Sequence, residues 1–375
     1  MQALQQRPKI VVVGGGFGGL EAVRQLADKN VDVVLIDRRH YHLFQPLLYQ
    51  VATAALAPAD IASSTRSLLR KQENLEFRMA EVTGVDFAQK TVQTSSGEVA
   101  YDYLIVAVGG ETNFFGMEDV QAHAFVLKDI DEAIAIRNHI LLKFEEAQQE
   151  EQVQRRKALL TFAVSGGGAT GVECAGALTE LIERTLLPDY PALLREEIKV
   201  VLVEAGERLL PMVPEALSEA ARQALSRKGV EVRLQTAVAG YDGACLTFRD
   251  GSAMAAHTMI WASGVKASSL VEQLQVERGR QNRVLVTPTL QVPGAEGVFC
   301  IGDAAGLQQE GVLLPMVAPV AVQQARLAVG NILRLLRKEP LQMFSYQDKG
   351  AMATVGRNFA VAKIGPLQSK GFLTW

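Results

Sequence analysis

A two-module α/β fold is predicted by three features of the chain. Two glycine-rich loops, Gly14-Gly15-Gly16-Phe17-Gly18-Gly19 and Gly166-Gly167-Gly168-Ala169-Thr170-Gly171, lie about 150 residues apart. Each follows a short apolar run and leads into apolar residues at helical spacing. Apolar stretches at 103–110 and 259–264, both ending in small residues, recur roughly 95 residues behind their loops. One glycine loop suggests a nucleotide; two in one chain suggest two.

The elements follow in order. Residues 9–13 read as a buried parallel strand, a β-branched run that stops at glycines. Leu20, Val23, Leu26 and Ala27 then mark a helix over 18–30, and residues 31–37 form the next strand. Strand, tight turn, helix and strand make a unit of the length a dinucleotide-binding fold requires. The same succession recurs at 159–164, 171–183 and 198–204, with Pro188 and Pro191 marking a longer passage. Two Rossmann-like dinucleotide-binding domains are therefore expected, the second inserted in the first. The expected boundaries are 1–115 and 270–337 for the first domain, 116–269 for the second, and 338–375 for a short C-terminal segment. Residues 143–157, rich in Glu, Gln and Arg, read as a solvated helix and linker. A strand over 299–304 ends in Gly302-Asp303, and a long helix spans 318–336.

Bulk properties exclude several classes. The chain has 375 residues and a net charge of −3, which gives no reason to expect nucleic acid. Cys174, Cys245 and Cys300 lie far apart without CxxC spacing, against a disulfide framework, a zinc site or a redox dithiol. Neither a signal peptide nor an apolar run of the ~20 residues a membrane helix needs is visible. His40 and His42 have no clustered His or Cys partners, so they read as structural and no metal is expected.

The loops carry specific chemistry. Gly14 permits the tight turn, Gly16 lets a pyrophosphate approach the backbone, and Gly19 allows close helix–strand packing. Phe17 and Gly18 open the helix whose free N–H groups and dipole favour phosphate. Asp37, 23 residues after Gly14 and followed by Arg38, is placed to accept hydrogen bonds from a ribose diol. Gly166, Gly168 and Gly171 repeat the pattern, and Glu204 closes the second unit. An acid there favours the free 2′-hydroxyl of NADH over the 2′-phosphate of NADPH. Gly109 and Gly264 end the two recurring strands at the cofactor side. Gly302-Asp303 supplies a further acid at a strand end, suited to flavin ribityl or pyrophosphate hydroxyls.

Residues 38–53 read Arg38-Arg39-His40-Tyr41-His42-Leu43-Phe44-Gln45-Pro46-Leu47-Leu48-Tyr49-Gln50-Val51-Ala52-Thr53. They resemble the segment after the first nucleotide unit in type II NADH dehydrogenases. These are single-subunit, non-proton-pumping NADH:quinone oxidoreductases with a glutathione-reductase-like pair of dinucleotide domains. Gly171-Val172-Glu173-Cys174-Ala175-Gly176-Ala177-Leu178, Gly302-Asp303-Ala304 and Asp348-Lys349-Gly350-Ala351-Met352-Ala353-Thr354-Val355-Gly356 resemble further family stretches. The resemblance covers residues 8–375.

It implies noncovalent FAD on the first domain, NADH on the second, and a quinone reaching the flavin from the membrane side. Glu173 is similar to the family glutamate near nicotinamide and flavin. Tyr49, Gln50 and Lys349 resemble residues lining the quinone approach, with Lys349 also a candidate in catalysis. The family's Ala-Gln-x-Ala-x-Gln pattern reads Ala318-Pro319-Val320-Ala321-Val322-Gln323 here. Pro319 thus replaces an amide that faces quinone; Gln323, a catalytic candidate, and Gln324 remain nearby.

Family members continue beyond residues 371–375 into an amphipathic membrane-binding region, so a truncated chain is expected. Its expected location is the cytoplasmic side of the cell membrane, peripheral, and soluble in the shortened form. A homodimer through the C-terminal part is compatible with the sequence. Two other readings share the scaffold: a non-catalytic NADH-responsive flavoprotein and a sulfide:quinone oxidoreductase. The second needs paired redox cysteines, for which Cys174 and Cys300 are poor candidates.

Overall fold

The computed structural model describes residues 7–375. It divides into two compact units. One takes the chain up to Leu43, Ala62–Glu111 and Val265–Asp348; the other takes Phe44–Ile61, Thr112–Gly264 and Lys349–Trp375.

The first unit is built on a five-stranded parallel sheet. Its order is Val298–Cys300, Tyr103–Val106, Lys9–Val13, Asp32–Asp37 and Leu75–Met79. The strand Lys9–Val13 is central because its apolar residues are covered on both faces, as parallel strands require. Ile10 and Val12 enter one core layer with Leu20, Val23 and Ile332, while Val11 and Val13 enter the other with Leu104 and Val298. That alternation is the two-residue period of a strand. The helix Phe17–Gln25 packs beside the helix Ala318–Leu336 on the first layer.

The second unit repeats the plan. Its parallel sheet runs Phe125–Val126, Thr258–Trp261, Thr161–Ser165, Lys199–Val203 and Val230–Arg233. In both sheets the strand before the glycine loop lies between the recurring strand and the strand that ends in an acid. The helix Ala169–Leu181 follows the second loop. Three antiparallel strands, Ala351–Thr354, Ala360–Ile364 and Leu367–Gly371, complete this unit.

Two details differ from the sequence reading. Residues 44–61 join the second unit instead of the first, because the helix Leu48–Ala52 buries Leu48, Tyr49, Val51 and Ala52 and packs beside the helix Ile130–Gln149. Residues 338–375 are not a segment apart: the division falls after Asp348, and the final sheet packs against the helices Ala169–Leu181 and Glu215–Arg227. No helix among the described residues is long and apolar enough to cross a membrane.

Candidate functional site

The two glycine loops adopt the same construction, residue for residue. Gly14 and Gly166 turn the chain at φ +99° and +115°, where side chains are strained. A Cβ on Gly19 or Gly171 would overlap the carbonyl of Gly14 or Gly166, so helix and strand approach only through glycine. Gly16 and Gly168 are different: nothing lies within 4 Å of the position a Cβ would take. That open flank, beside the first free N–H groups of a helix, is where a pyrophosphate fits.

Each loop is also gripped by its own acid. Asp37 accepts from Gly15 N–H at 2.5 Å and Arg39 N–H at 2.7 Å. Glu204 accepts from Gly167 N–H at 2.5 Å and Gly206 N–H at 2.6 Å. A carboxylate has about four acceptor sites, so each acid retains capacity for a ribose diol. Arg38, beside Asp37, is exposed. Arg208, close to Glu204, donates to the carbonyls of Pro211 and Val213.

The first loop has further support within its unit. His42 stacks edge-on against Phe17 with ring centroids 5.4 Å apart, and its Nδ1 lies 3.0 Å from the Gly15 carbonyl. A carbonyl only accepts, so Nδ1 carries the proton and the histidine is structural, as expected. Gly302 and Asp303 form a tight turn after the strand Val298–Cys300; Gly302 N–H donates to Gln324 Oε1 at 2.7 Å. Beneath this turn Arg283, 1% exposed, donates to the carbonyls of Ala305 (2.9 Å from Nε) and Leu314 (2.6 Å). Gly109 leaves open space at its Cβ position.

The second unit gathers a polar chain at the start of the helix Ala169–Leu181. Glu173 sits in the second turn, and its Oε1 accepts from Thr354 N–H at 3.3 Å. Thr354 Oγ1 is 3.0 Å from Tyr49 Oη, which in turn accepts from Gln50 Nε2 at 3.0 Å. Burial pushes the Glu173 carboxyl up to about 7, with the Thr354 amide working weakly against it. Burial likewise raises the Tyr49 phenol, and the charges of Glu173 and Glu180 add to that. Tyr49, Gln50 and Glu173 are thus brought together in one network.

Other candidates are placed less simply. Lys349 is exposed. Gln323 spends its amide on the backbone of Gln347, donating at 2.9 Å and accepting at 3.0 Å. Pro319 occupies the first turn of the helix Ala318–Leu336, where its missing N–H costs nothing. Gly264, at φ +84°, lies against the Phe115 ring. Cys174 and Cys300 are fully buried, and burial pushes both thiols up to about 12, which leaves them inert. No metal-binding cluster occurs among the described residues.

Sequence reasoning missed Thr354 and Arg283. Thr354 lies inside the stretch 348–356, but its bond to Glu173 is made by the backbone, which no side chain announces. Arg283 stands in a polar run with Arg278 and Arg280, where nothing marks it as the buried one.

The arrangement defines a class of protein: residues 8–325 match the pyridine nucleotide-disulphide oxidoreductase family. Full-length relatives narrow this. The type II NADH:quinone oxidoreductase Ndh of Mycobacterium tuberculosis is 39% identical, covering 99% of this chain and 82% of that protein. The type II NADH:quinone oxidoreductase of Haemophilus influenzae is 32% identical, covering 96% and 87%. In fold, NDH2 from Plasmodium falciparum in complex with NADH superposes with a TM-score of 0.90 at 22% identity, covering 98% of this chain and 92% of that one. The chain belongs to the type II NADH:quinone oxidoreductases.

Proposed function

We propose that this chain is an FAD-dependent enzyme that oxidises NADH and delivers the electrons to a quinone, with FAD held noncovalently by the first unit and NADH by the second. The observation that carries the reading is the doubled glycine loop, each copy complete with an open flank at its third glycine and an acid at the next strand end. One dinucleotide would leave one of these loops without purpose.

Gly14, Gly16, Phe17, Gly18, Gly19, Asp37, Arg38, Gly109, Gly302 and Asp303 hold FAD. When bound, FAD supplies the two-electron relay between the substrates. Gly166, Gly168, Gly171, Glu204 and Gly264 hold NADH, and Glu204 repels the 2′-phosphate that NADPH would bring. Arg283 and Gln324 keep the Gly302-Asp303 turn in shape. Glu173, buried and without a cationic partner, holds a proton near neutral pH and releases it at Oε. Quinone reduction by NADH consumes one proton from solution, which is the role such a carboxyl suits. Tyr49 and Gln50 orient the quinone side of that network, and exposed Lys349 attracts or polarises the acceptor. Gln323, tied to Gln347, acts as a tether.

The enzyme works at the cytoplasmic membrane surface without pumping protons. Ile364, Leu367, Phe372, Leu373 and Trp375 are exposed on and after the last hairpin, with Lys363 and Lys370 beside them, which supports contact with an anionic bilayer.

Anaerobic stopped-flow absorbance tests the reading. NADH is expected to bleach the flavin band, and a soluble quinone is expected to restore it at a rate matching turnover. Fast bleaching with no quinone-dependent recovery would overturn the oxidoreductase reading in favour of a redox-responsive flavoprotein.

A further inference from the structure

Glu173, Gly176 and Glu180 share one face of the helix Ala169–Leu181, three and seven positions apart. That face meets residues 354–357, where the strand Ala351–Thr354 runs into its turn. At one end Thr354 N–H reaches Glu173 Oε1 at 3.3 Å, a long bond. At the other end Arg357 N–H reaches Glu180 Oε1 at 2.6 Å, and Lys228 Nζ reaches the same oxygen at 2.7 Å. Lys228 also donates to the Arg357 carbonyl at 3.3 Å.

Between the two acids the backbones nearly touch. A Cβ on Gly176 would lie 2.7 Å from the Gly356 nitrogen and 3.2 Å from the Val355 carbonyl carbon. Gly356 itself, at φ +64°, has no room for a side chain against Glu180. Short charge-assisted bonds are roughly twice as strong as neutral ones. The register of the strand on the helix is therefore set at Glu180, and the weaker Thr354 contact follows from it.

We propose that Glu180, braced by Lys228 and by the Gly176–Gly356 approach, is a positioning residue that holds the Thr354 amide on the Glu173 carboxylate. The proposal rests on the reading of Glu173 as the proton-holding carboxyl of the NADH unit. Three groups face Glu173 or its network besides Thr354. They are Tyr49 from the helix Leu48–Ala52, Cys174 next in the chain, and Glu180 on the same helix. Burial keeps the Tyr49 phenol and the Cys174 thiol protonated through neutral pH. The Lys228 ammonium, at the end of the helix Glu215–Arg227, is paired with Glu180.

Charge and position act with opposite signs, which makes the proposal testable. Removing the negative charge of Glu180 alone eases ionisation of Glu173 and lowers its midpoint. Releasing the strand withdraws the single backbone donor from a buried carboxylate and raises it.

The experiment is a pH titration of the flavin-loaded enzyme by infrared spectroscopy, following the carboxyl band that disappears in Glu173→Gln. Gly176→Ala, which changes no charge, and Glu180→Ala are expected to raise the midpoint by roughly half to one pH unit. Glu180→Gln keeps an oxygen for the Arg357 amide and is expected at or below the wild-type midpoint. Midpoints unchanged or lowered in both Gly176→Ala and Glu180→Ala overturn the proposal; if Gly176→Ala does not fold, Glu180→Ala decides alone. Normal turnover in Glu173→Gln would count against the functional reading of Glu173 only, because the band still reports the positioning.

Discussion

Glu21 and Glu173 occupy the same place in the two modules, five residues after Gly16 and Gly168, yet their carboxyls are driven in opposite directions. Burial works to raise the Glu21 carboxyl, but hydrogen bonds from Arg326 (2.6 Å) and Gln25 (2.9 Å) and the charge of Arg326 outweigh it, and it ends below its ordinary value. Glu173 is buried with one long backbone bond and no cation beside it among the described residues, and is pushed up to about 7. The repeated fold supplied one carboxylate twice. What separates them is the later segment that covers each: a helix bearing Arg326 in the first unit, a strand bearing only the Thr354 amide in the second. An ion pair makes the first a fixed structural charge, and its absence makes the second a group that exchanges protons near neutrality.

The largest expected effects test whether the modules are as independent as this comparison requires. Gly19→Val and Gly171→Val each drive a side chain into a loop carbonyl, at a cost of about 3 kcal/mol or more. Flavin absorbance per protein is expected to collapse in the first and to persist in the second, with NADH binding lost only there. Equal flavin loss in both would break the assignment of one dinucleotide to each loop.

Next in size is the dependence of stability on pH. The native Glu173 holds its proton up to about 7, while the unfolded chain releases it near 4.5. Between those values the native state binds more protons, so this residue's contribution falls as pH rises and is gone above about 7. The full swing is roughly 3 kcal/mol. Thermal melts from pH 4 to 8 are expected to lose that slope in Glu173→Gln. Glu21 has the opposite sign: its contribution is present at neutral pH and fades as pH falls through its depressed value, and Glu21→Gln removes it.

Turnover sharpens the same contrast. Glu173→Gln is expected to slow steady-state NADH:quinone activity by about a hundredfold, the low end for a positioned proton carrier. Glu21→Gln is expected to leave it near wild type. Similar losses in both would mean that burial and not proton exchange is what matters. Smallest is Arg326→Met. Its side chain is 55% exposed, so the pair with Glu21 contributes no more than about 1 kcal/mol to denaturant stability.

Much of the fold is legible in the sequence. Both loop turns and the long helix over 318–336 follow from the sequence, because glycine spacing and apolar periodicity are local properties of the chain. The destination of residues 44–61 does not. Their apolar residues fit any core, and only packing beside the helix Ile130–Gln149 assigns them to the second unit. Gln323 and Gln324 were equivalent candidates on paper. In the structure one reaches the Gln347 backbone and the other is buried against Gly302.

The amino-acid sequence by itself determined the repeated strand–loop–helix–strand unit and the acid that ends it, since turn chemistry and periodicity depend on neighbours a few positions apart. Only the tertiary structure decided which of two equivalent glutamates would be neutralised. A carboxyl's charge depends on what is brought to it from hundreds of residues away: Arg326 for Glu21, and a strand held at Glu180 for Glu173.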